Sequence, residues 1–276
     1  MYKLIATDCD GTILNSKGYL PKEIIDTFKV LHNKGIHILL ATGRNDILAK
    51  DYLDELDIDC PVAGCNGATL LNFYTNKHYF TKSMDKISLD KIFDMCKDGN
   101  IGVKMFTTDT CYTNDRTLYE GGINLITTKY TRKMKYSINY ELVKNMHDVS
   151  GLDNVVKAVV IEQDIPKLLK IRDSINANIP SVKAVQSNWN CIDINSKSVS
   201  KGNAILEYAQ IIGVKPDEII AFGDSENDIS MLKTAGLGIA VGNADDCVKS
   251  SANKVIDTND NFGVAKFLRE IYNIND

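Results

Sequence analysis

The sequence lacks long hydrophobic runs and any excess of positive charge. Its 276 residues contain no apolar stretch near the roughly 20 residues that cross a bilayer, so we expect no membrane partner. Lysine and arginine number 32 against 36 aspartates and glutamates, and the formal net charge of -4 does not favour a nucleic-acid partner. The opening segment, MYKLIATDCDGT, has neither the basic start nor the apolar core of a signal peptide. We therefore expect a soluble enzyme or binding protein.

Paired metal-binding or disulfide-forming residues are also absent. The seven cysteines are odd in number, scattered and without a Cys-x-x-Cys pair: Cys9, Cys60, Cys65, Cys96, Cys111, Cys191 and Cys247. This usage indicates reduced thiols in the cytoplasm, and not a disulfide framework or a zinc site. The four histidines show no paired ligand spacing, which argues against zinc and against a histidine-based triad: His32, His37, His78 and His147.

The composition is that of a globular chain. Hydrophobic residues make up 44% and charged residues 25%, which argues against a disordered or fibrous protein. A chain of 276 residues buries roughly three quarters of the surface that its unfolded form exposes, so a large core needs no disulfide or metal. This length favours about two domains.

Both ends of the chain alternate strand and helix patterns. The N-terminal stretch predicts strands at 3–7, 36–41 and 61–65, and helices at 21–35 and through Leu48, Tyr52 and Leu53. The C-terminal stretch predicts strands at 219–222, 237–241 and near Val255, and helices at 201–212, 227–235 and through Val264, Phe267, Leu268 and Ile271. This alternation predicts a doubly wound α/β core with a parallel sheet.

The middle of the chain, near 83–193, has a different pattern. It predicts strands at 103–106, 111–113, 155–161, 182–185 and 191–194, and helices at 87–95, 140–146 and 165–175. A variable polar stretch follows the second of these strands. The order is typical of an α+β insert with a largely antiparallel sheet. We therefore predict a core formed by 1–82 with 194–276 and an inserted domain at 83–193.

Polar residues follow the predicted parallel strands. Asp8 and Asp10 come directly after the first strand, at the edge where open α/β sheets bind ligands. Three further motifs take comparable positions: Thr42-Gly43-Arg44, Lys201-Gly202 and Gly223-Asp224-Ser225-Glu226-Asn227-Asp228. Taken singly, each motif has an ordinary structural interpretation: a solvated acid pair, a helix N-cap, a surface lysine, or a capping box of Ser225 and Asp228.

Carboxylates gathered at one edge require a cation. Two of them about 5 Å apart repel by roughly 3 kcal/mol at an effective dielectric constant near 20. Oxygen ligands favour Mg²⁺, which keeps several waters and coordinates substrate phosphates. We therefore expect Mg²⁺ at this edge of the sheet.

The order of the motifs resembles that of the haloacid dehalogenase-like (HAD) superfamily of phosphohydrolases. Asp-x-Asp-Gly-Thr, Thr-Gly-Arg, Lys-Gly and Gly-Asp-x-x-Asn-Asp occur here in the family's order and on the expected elements. Asn66-Gly67-Ala68, the position of the insert, and Phe262-Gly263-Val264 are similar to the Cof-like subfamily with a type IIB cap. The resemblance covers essentially the whole chain. It implies a Rossmann-like HAD core with an inserted α+β cap domain that covers the active site and sets specificity.

The resemblance implies catalytic roles for four residues. Asp8 would be the nucleophile that attacks phosphorus, and Asp10 the general acid and base. Thr42 would donate a hydrogen bond to a phosphoryl oxygen. Lys201 would offset the charge of the nucleophile and of the transferring phosphoryl group.

The resemblance also implies ligand contacts. Mg²⁺ would be held by the Asp8 carboxylate, the Asp10 backbone carbonyl and Asp224, with Asp228 orienting the metal's waters or Lys201. The expected substrate contacts are Thr42, Gly43, Arg44, Asn66, Lys201 and Asn227. Cys9, a position where the family often has a larger apolar residue, is interpreted as a packing residue, because two flanking aspartates disfavour a thiolate.

The expected function is a Mg²⁺-dependent phosphatase that hydrolyses small phosphate monoesters through an aspartyl-phosphate intermediate. Sugar phosphates are favoured as substrates, with phosphorylated cofactors such as flavin or pyridoxal phosphates as further candidates. A sugar phosphomutase, a Mg²⁺-binding phosphoacceptor module of the signalling kind, and a protein that only binds its ligand stay open as alternatives. We expect a small phosphorylated metabolite as the partner, and a monomer or weak homo-oligomer.

Overall fold

The computed structural model describes residues 2–99, 101–121 and 135–274. In chain order the strands are β1 (Leu4–Thr7), β2 (His37–Ala41), β3 (Val62–Gly64), β4 (Thr69–Asn72), β5 (Lys77–Thr81), β6 (Gly102–Phe106), β7 (Thr110–Thr113), β8 (Asn139–Leu142), β9 (Lys157–Ile161), β10 (Val182–Asn188), β11 (Cys191–Ser196), β12 (Ile219–Gly223), β13 (Leu237–Ala240) and β14 (Lys254–Val255). The helices are α1 (Lys22–Asn33), α2 (Asp46–Leu56), α3 (Lys86–Asp98), α4 (Met146–Ser150), α5 (Ile165–Asn178), α6 (Lys201–Ile212), α7 (Ile229–Thr234), α8 (Asp246–Lys249) and α9 (Gly263–Ile271). Residues 116–121 are also helical.

The strands form two sheets. The first sheet has the order β14-β13-β12-β1-β2-β3-β4-β5, and the second has the order β10-β11-β9-β6-β7-β8. From β14 to β3 the first sheet is parallel, and β4 and β5 extend it in the antiparallel sense. The predicted α/β fold with a doubly wound parallel sheet is confirmed.

Apolar runs explain why β1 lies in the middle of the first sheet. A parallel strand covered by helices on both faces needs apolar residues on both faces, and every residue of β1 is buried. Helix α1 forms part of this cover, because Ile24, Phe28 and Leu31 recur at helical spacing and are buried. Thr7, at the end of β1, pairs with Phe222 of β12. The polar residues that follow these two strands therefore begin at the same level of the sheet.

The hairpin of β4 and β5 was not predicted. The Asn72 side chain accepts hydrogen bonds from the backbone N–H groups of Tyr74 and Thr75, at 2.9 and 3.0 Å. Asn76 then has a φ of 52°, a left-handed conformation that asparagine tolerates better than most residues. These two asparagines reverse the chain, so that β5 pairs with β4 at the edge of the first sheet.

The second sheet is antiparallel apart from the pair of β7 and β8. One of its faces packs against α3 and α5, where Leu89, Phe93 and Leu168 belong to one hydrophobic cluster with buried strand residues. Strand residues of the opposite face, among them Phe106 and Lys157, line a cavity shared with loops of the first sheet. The prediction of a largely antiparallel sheet in this part of the chain is confirmed.

The predicted helix at 140–146 is wrong. Residues 139–142 form β8, in which Tyr140 pairs with Cys111 of β7. An aromatic residue beside an available strand edge favours a strand. The helix begins only at Met146, because the Asn145 side chain accepts a hydrogen bond from His147 N at 3.2 Å and caps it. The variable polar stretch predicted after residue 113 lies partly at 122–134, outside the described residues.

The predicted helix at 227–235 is divided into a 3₁₀ turn, Glu226–Asp228, and α7. Ser225 and Asp228 form the capping box that their spacing predicts. The other predicted strands and helices occur within a few residues of their expected positions. None of the helices in the described part of the chain is both long enough and apolar enough to cross a membrane.

Candidate active site

Neighbouring parallel strands bring the motif residues to one edge of the first sheet. Strands β12 and β2 flank β1 in parallel register, so the residues that follow the three strands lie side by side. Asp8 follows β1, Thr42 follows β2 and Asp224 follows β12. The Asp8 backbone N–H donates to Phe222 O at 3.0 Å, which continues the hydrogen bonding of the sheet up to the motif. The sheet itself therefore determines the spacing of the site.

Lys201 lies between two carboxylates. Its ammonium group donates to Asp8 Oδ1 and to Asp228 Oδ1, each at 2.5 Å. The Lys201 side chain is 1% exposed, and those of Asp8 and Asp228 are 8% and 0% exposed. The Ser200 side chain accepts a hydrogen bond from Asn203 N, which starts α6 at the lysine. A buried ammonium group is tolerated here because two anions compensate its charge.

Burial and charge act in opposite directions on this ion triad. Burial raises the pKa of the Asp8 carboxyl well above its usual range, and Lys201 opposes that rise. Burial alone would lower the pKa of Lys201, but Asp228 and Asp8 together raise it. The pKa shift of Asp8 favours a neutral carboxyl, whereas that of Lys201 requires an ionised one. We assign the ion pair, because the ammonium group donates to two carboxylates at once and both of them favour its charged form.

Asp224 joins Asp8 and Asp228 in an acidic cluster. One carboxylate oxygen from each of the three residues lies within 4.8 Å of the other two. The Thr12 hydroxyl donates to Asp224 Oδ1 at 2.9 Å. Burial, followed by the charge of Asp228, raises the pKa of Asp224 to about 6. The cluster offers hard oxygen ligands whose repulsion a cation would relieve, and these properties fit Mg²⁺.

Asp228 reaches the cluster through the turn that follows β12. Its Oδ2 accepts hydrogen bonds from the backbone N–H groups of Asp224 and Ser225 at 2.9 and 3.0 Å, while Oδ1 contacts Lys201. Gly223 permits this close approach, because a Cβ at that position would lie 2.4 Å from Asp228 Cβ. Asp228 thus caps the turn through Oδ2 and binds Lys201 through Oδ1.

The Asp10 carboxylate lies apart from the acidic cluster and binds Arg44. The guanidinium group donates from Nε to Oδ2 at 2.6 Å and from Nη2 to Oδ1 at 2.7 Å, which makes the pair bidentate. Both side chains are partly exposed and line the cavity. The acidic cluster is therefore formed by Asp8, Asp224 and Asp228, and Arg44 donates to both carboxylate oxygens of Asp10.

The loop after β2 is held from both sheets. Thr42 is buried, and its Oγ1 accepts a hydrogen bond from Arg44 N at 3.1 Å. Gly43 O accepts a hydrogen bond from Lys157 Nζ, on β9 of the second sheet, at 2.9 Å. The same ammonium group pairs with Asp193 Oδ2 at 2.5 Å. The second sheet thereby fixes the backbone that carries Thr42 and Arg44.

Asn66 connects the two sheets. Its amide nitrogen donates to Asp193 Oδ2 at 2.9 Å and to Asn195 Oδ1 at 3.0 Å, both on β11. Its amide oxygen accepts a hydrogen bond from Asn227 Nδ2 at 2.9 Å. Asn227 lines the cavity. Asn66 lies beside the cavity and contacts two lining residues, Asp193 and Asn227. The structure thus brings these two predicted residues together.

A cavity of about 550 Å³ lies between the two sheets. Its floor is formed by loops of the first sheet and includes Asp8, Asp10, Arg44 and Asp224. Its roof belongs to the second sheet and includes Phe106, Ile138, Tyr140, Lys157, Val159 and Asp193. This volume suits a small-molecule ligand. Lys201 does not line the cavity and acts on it through Asp8.

Some residues of the site were not predicted. Thr12 is the threonine of the first motif, whose contact with Asp224 depends on two loops distant in sequence. Asp193 and Asn195 were missed, although the alternating polar residues of CIDINS were an available signal. Cys9 is fully buried, and burial raises the pKa of its thiol well above the usual range, which agrees with a packing role.

The fold and the site together define a class of protein. A buried lysine and an acidic cluster lie at the carboxyl edge of a parallel sheet, below a cavity roofed by a second sheet. This arrangement is typical of an enzyme of phosphoryl transfer, in which positioning and charge compensation supply the catalysis. The sequence pattern of the haloacid dehalogenase-like hydrolases matches residues 5–268, and the chain belongs to this family.

Relatives along the whole chain carry phosphatase names. The chain is 29% identical to a putative phosphatase, YxeH, of Bacillus subtilis (strain 168) over 280 residues, with 98% of each chain covered. It is 27% identical to the pyridoxal phosphate phosphatase YbhA of Escherichia coli (strain K12) over 274 residues, with 96% of this chain and 97% of that protein covered. The chain is accordingly an enzyme, a phosphatase of the HAD type.

Solved structures show the same fold. A haloacid dehalogenase-like hydrolase from B. subtilis matches with a TM-score of 0.85 at 25% identity, over 98% of this chain and 99% of that chain. The HAD subclass IIB sugar phosphatase BT4131 matches with a TM-score of 0.82 at 21% identity, over 99% of this chain and 100% of that chain. The resemblance to Cof-like phosphatases with a type IIB insert is thereby confirmed.

Proposed function

We propose that the protein is a Mg²⁺-dependent phosphatase that hydrolyses small phosphate monoesters through an aspartyl-phosphate on Asp8. The observation that carries the proposal is the environment of Asp8. Its carboxylate contacts a buried lysine, clusters with two further carboxylates and lines the cavity between the sheets. Substrates of the class of sugar phosphates or phosphorylated cofactors fit a cavity of about 550 Å³.

The acidic cluster would hold the metal. Asp8, Asp224 and Asp228 supply oxygen atoms within 4.8 Å of one another, with the Asp10 backbone carbonyl as the further expected ligand. When bound, Mg²⁺ neutralises charge between the carboxylates and the phosphate. Asp228 would act on the metal's waters or through Lys201, since one of its oxygens already contacts that ammonium group.

Asp8 would attack the phosphorus of the ester. A bond forms between a carboxylate oxygen of Asp8 and phosphorus, and the bond between phosphorus and the ester oxygen breaks. Lys201, 2.5 Å from Asp8 Oδ1, would compensate negative charge on the nucleophile and the phosphoryl group. Thr42 would donate its hydroxyl to a phosphoryl oxygen, since among the described residues its Oγ1 acts only as the acceptor from Arg44 N.

Asp10 would move the protons. In the first step the protonated carboxyl gives its proton to the leaving oxygen, and in the second step the carboxylate takes a proton from the water that attacks phosphorus. The second attack breaks the bond to Asp8 and restores its carboxylate. Arg44 binds both carboxylate oxygens of Asp10 in the structure. We propose that Arg44 turns to the substrate's phosphate on binding, which frees Asp10 to take up its proton.

The two sheets correspond to the proposed division of the chain. Residues 1–82 and 194–276 would form the catalytic core, and 83–193 a cap that excludes water and contacts the leaving group. Strand β11, Cys191–Ser196, crosses the C-terminal boundary, and its Asn195 contacts Asn66 of the first sheet. We further propose action in the cytoplasm as a monomer or weak homo-oligomer, where the seven free cysteines would stay reduced.

Phosphate release from a panel of esters tests the proposal. The panel contains sugar phosphates, nucleotides and pyridoxal 5′-phosphate, assayed with Mg²⁺ or with a chelator for the wild type and Asp8→Asn. We expect release that requires Mg²⁺ and is lost in Asp8→Asn. Release that is undiminished in Asp8→Asn would remove Asp8 as the nucleophile. Transfer of the phosphoryl group to a sugar hydroxyl, and not to water, would identify a mutase instead.

A further inference from the structure

Lys104, on β6 of the second sheet, is a buried cation without an anionic partner. The residue is 5% exposed, and its ammonium group lies 5.5 Å from the centroid of the Tyr140 ring. Its ammonium group forms no hydrogen bond and no ion pair with residues 2–99, 101–121 and 135–274. Burial lowers the pKa of Lys104 more than its neighbours Cys111, Cys191 and Asp115 raise it. The Asp115 side chain accepts a hydrogen bond from Leu118 N at 3.0 Å. Residues 122–134 contain no aspartate or glutamate that could compensate the charge.

Lys104 lies beside the cavity. It is two residues from Phe106 on the same strand, so both side chains share the face that roofs the cavity. Its register partner on β9 is Val159, which lines the cavity, as does Tyr140 next to the ammonium group. The lysine stem has four carbons and rotatable donors, so a small movement would bring the ammonium group to a ligand between these three residues.

Among the described residues, the two lysines on this face of the second sheet differ in how their charge is compensated. Lys157, which lines the cavity, is paired with Asp193 at 2.5 Å. Burial lowers the pKa of Lys104, which is the sign of a cation that lacks compensation. Holding an unpaired charge away from water is unfavourable, and an incoming anion would remove that cost. The floor of the cavity, with its acidic cluster, is instead the place for the phosphate and its metal.

We propose that Lys104 binds an oxyanion at the end of the substrate opposite the scissile phosphate. The substrate would be a phosphate monoester whose leaving group carries a second anionic group, a carboxylate or another phosphate. This inference rests on the proposed function, since it takes the ester's phosphate to bind at Asp8. Phe106 and Tyr140 would contact the body of the leaving group between its two charged ends.

Matched esters test the assignment by binding. Calorimetry in the Asp8→Asn background, with Mg²⁺, compares 6-phosphogluconate with sorbitol 6-phosphate, which differ in one carboxylate. It also compares fructose 1,6-bisphosphate with fructose 6-phosphate, which differ in one phosphate. We expect the doubly anionic member of one pair to bind about ten- to a hundred-fold more tightly, the range of a charge-assisted hydrogen bond. The pair that shows the preference identifies the oxyanion as carboxylate or phosphate.

Variants at position 104 separate recognition from packing. Lys104→Met keeps the length of the stem and should abolish the preference, with unchanged affinity for the singly charged esters. Lys104→Arg should keep the preference for the doubly anionic ester. Lys170→Met removes an exposed lysine of α5 and should leave this preference intact. Because Lys104→Met removes an unpaired buried charge, its melting temperature should equal or exceed that of the parent.

Two results would overturn the assignment. One is equal binding of both members of each pair by the protein with Lys104, and the other is a preference that survives in Lys104→Met. The proposed function is tested by a separate assay. Phosphate release from sorbitol 6-phosphate is measured with enzyme that retains Asp8, and this ester has no second anionic group for Lys104 to bind. Release without any preference contradicts the role of Lys104 alone, whereas a preference in binding without release contradicts the phosphatase proposal alone.

Discussion

At the scale of single residues, the site depends on how buried charges are compensated. Lys201 serves two carboxylates, Asp8 and Asp228, and the triad keeps a net negative charge. Arg44 and Asp10 form a second, partly exposed pair whose charges cancel. The first arrangement is suited to a nucleophile that stays ionised, and the second to a carboxylate that is released when its partner moves.

Replacement of Lys201 by methionine leaves two buried carboxylates without a cation. We expect Lys201→Met to lower the free energy of unfolding by about 3–5 kcal/mol, the usual cost of removing one partner from a buried ion pair. Phosphate release should fall at least about a thousand-fold, since charge compensation at the phosphoryl group is lost. Urea denaturation and the phosphate assay measure the two effects. Lys170→Met, on the exposed face of α5, is the control, and a variant at position 201 with wild-type stability would contradict the assigned triad.

Asp46 predicts a pH dependence of stability. It is 2% exposed at the start of α2, and burial raises its pKa to about 6. Between about pH 4 and pH 6, Asp46 therefore keeps its proton in the folded state but loses it in the unfolded state. The free energy of unfolding falls as the pH rises through this range. Asp46→Asn should be more stable than the wild type by up to about 3 kcal/mol at pH near 8, and no more stable at pH near 4. A difference between the two proteins that is independent of pH would contradict this.

At the scale of secondary-structure elements, the ends of the strands place the chemistry. The turn after β12 places Asp228 because two backbone N–H groups donate to one of its oxygens, which leaves the other for Lys201. The turn after β2 depends on Thr42 and on a lysine of the second sheet. Short, buried turns of this kind leave little room for substitution.

Gly223→Ala tests the turn after β12. The added Cβ would lie 2.4 Å from Asp228 Cβ, so the turn must move, and the acidic cluster with it. We expect a loss of about 1–3 kcal/mol in unfolding free energy and a large loss of phosphate release. Gly213→Ala is the matched control: its φ is 72° and, in the described part of the chain, no atom of another segment lies within 4 Å of the added Cβ. It should cost about 1–2 kcal/mol from backbone strain and leave activity unchanged. Equal activity losses in the two variants would contradict the role of the turn.

Local sequence patterns predicted those strands and helices that depend mainly on the burial of their own apolar residues. The apolar runs of β1 and β2 indicated buried parallel strands, and the motif after each strand indicated the sheet edge at which Asp8 and Thr42 lie. At 139–142 the sequence alone was insufficient, because β8 exists only through its pairing with β7. Likewise Asp193 and Asn195 enter the site only because the second sheet folds over the first. Contacts between segments distant in sequence leave little trace in local periodicity.

At the scale of the whole molecule, hydrogen bonds join the two sheets around the cavity. Asn195 Nδ2 donates to Cys65 O at 3.1 Å and to Val156 O at 2.9 Å, and its Oδ1 accepts from Asn66. Lys157 adds the bond to Gly43 O. A roof fixed in this way would hold the leaving group of a substrate in place over the nucleophile.

Asn195→Ala should loosen this connection without touching a reacting atom. It leaves two buried carbonyl groups without their donor, at a cost of about 1–3 kcal/mol. We expect the KM for phosphate esters to rise several-fold and kcat to change less, because the floor of the site is retained. Steady-state kinetics measure the split, with Asn178→Ala on an exposed end of α5 as the control. A fall in kcat alone at constant KM would contradict the assigned role.

The central claim is that Asp8 becomes covalently phosphorylated during turnover. The most direct measurement is a rapid acid quench of the enzyme with Mg²⁺ and its best ester, followed by borohydride reduction and mass spectrometry of the peptide that contains residue 8. An aspartyl-phosphate is reduced to homoserine, so we predict homoserine at position 8 in the quenched enzyme and aspartate in the sample without substrate. Efficient turnover with unmodified Asp8 at every quench time, or reduction at Asp10 or Asp224, would contradict the account.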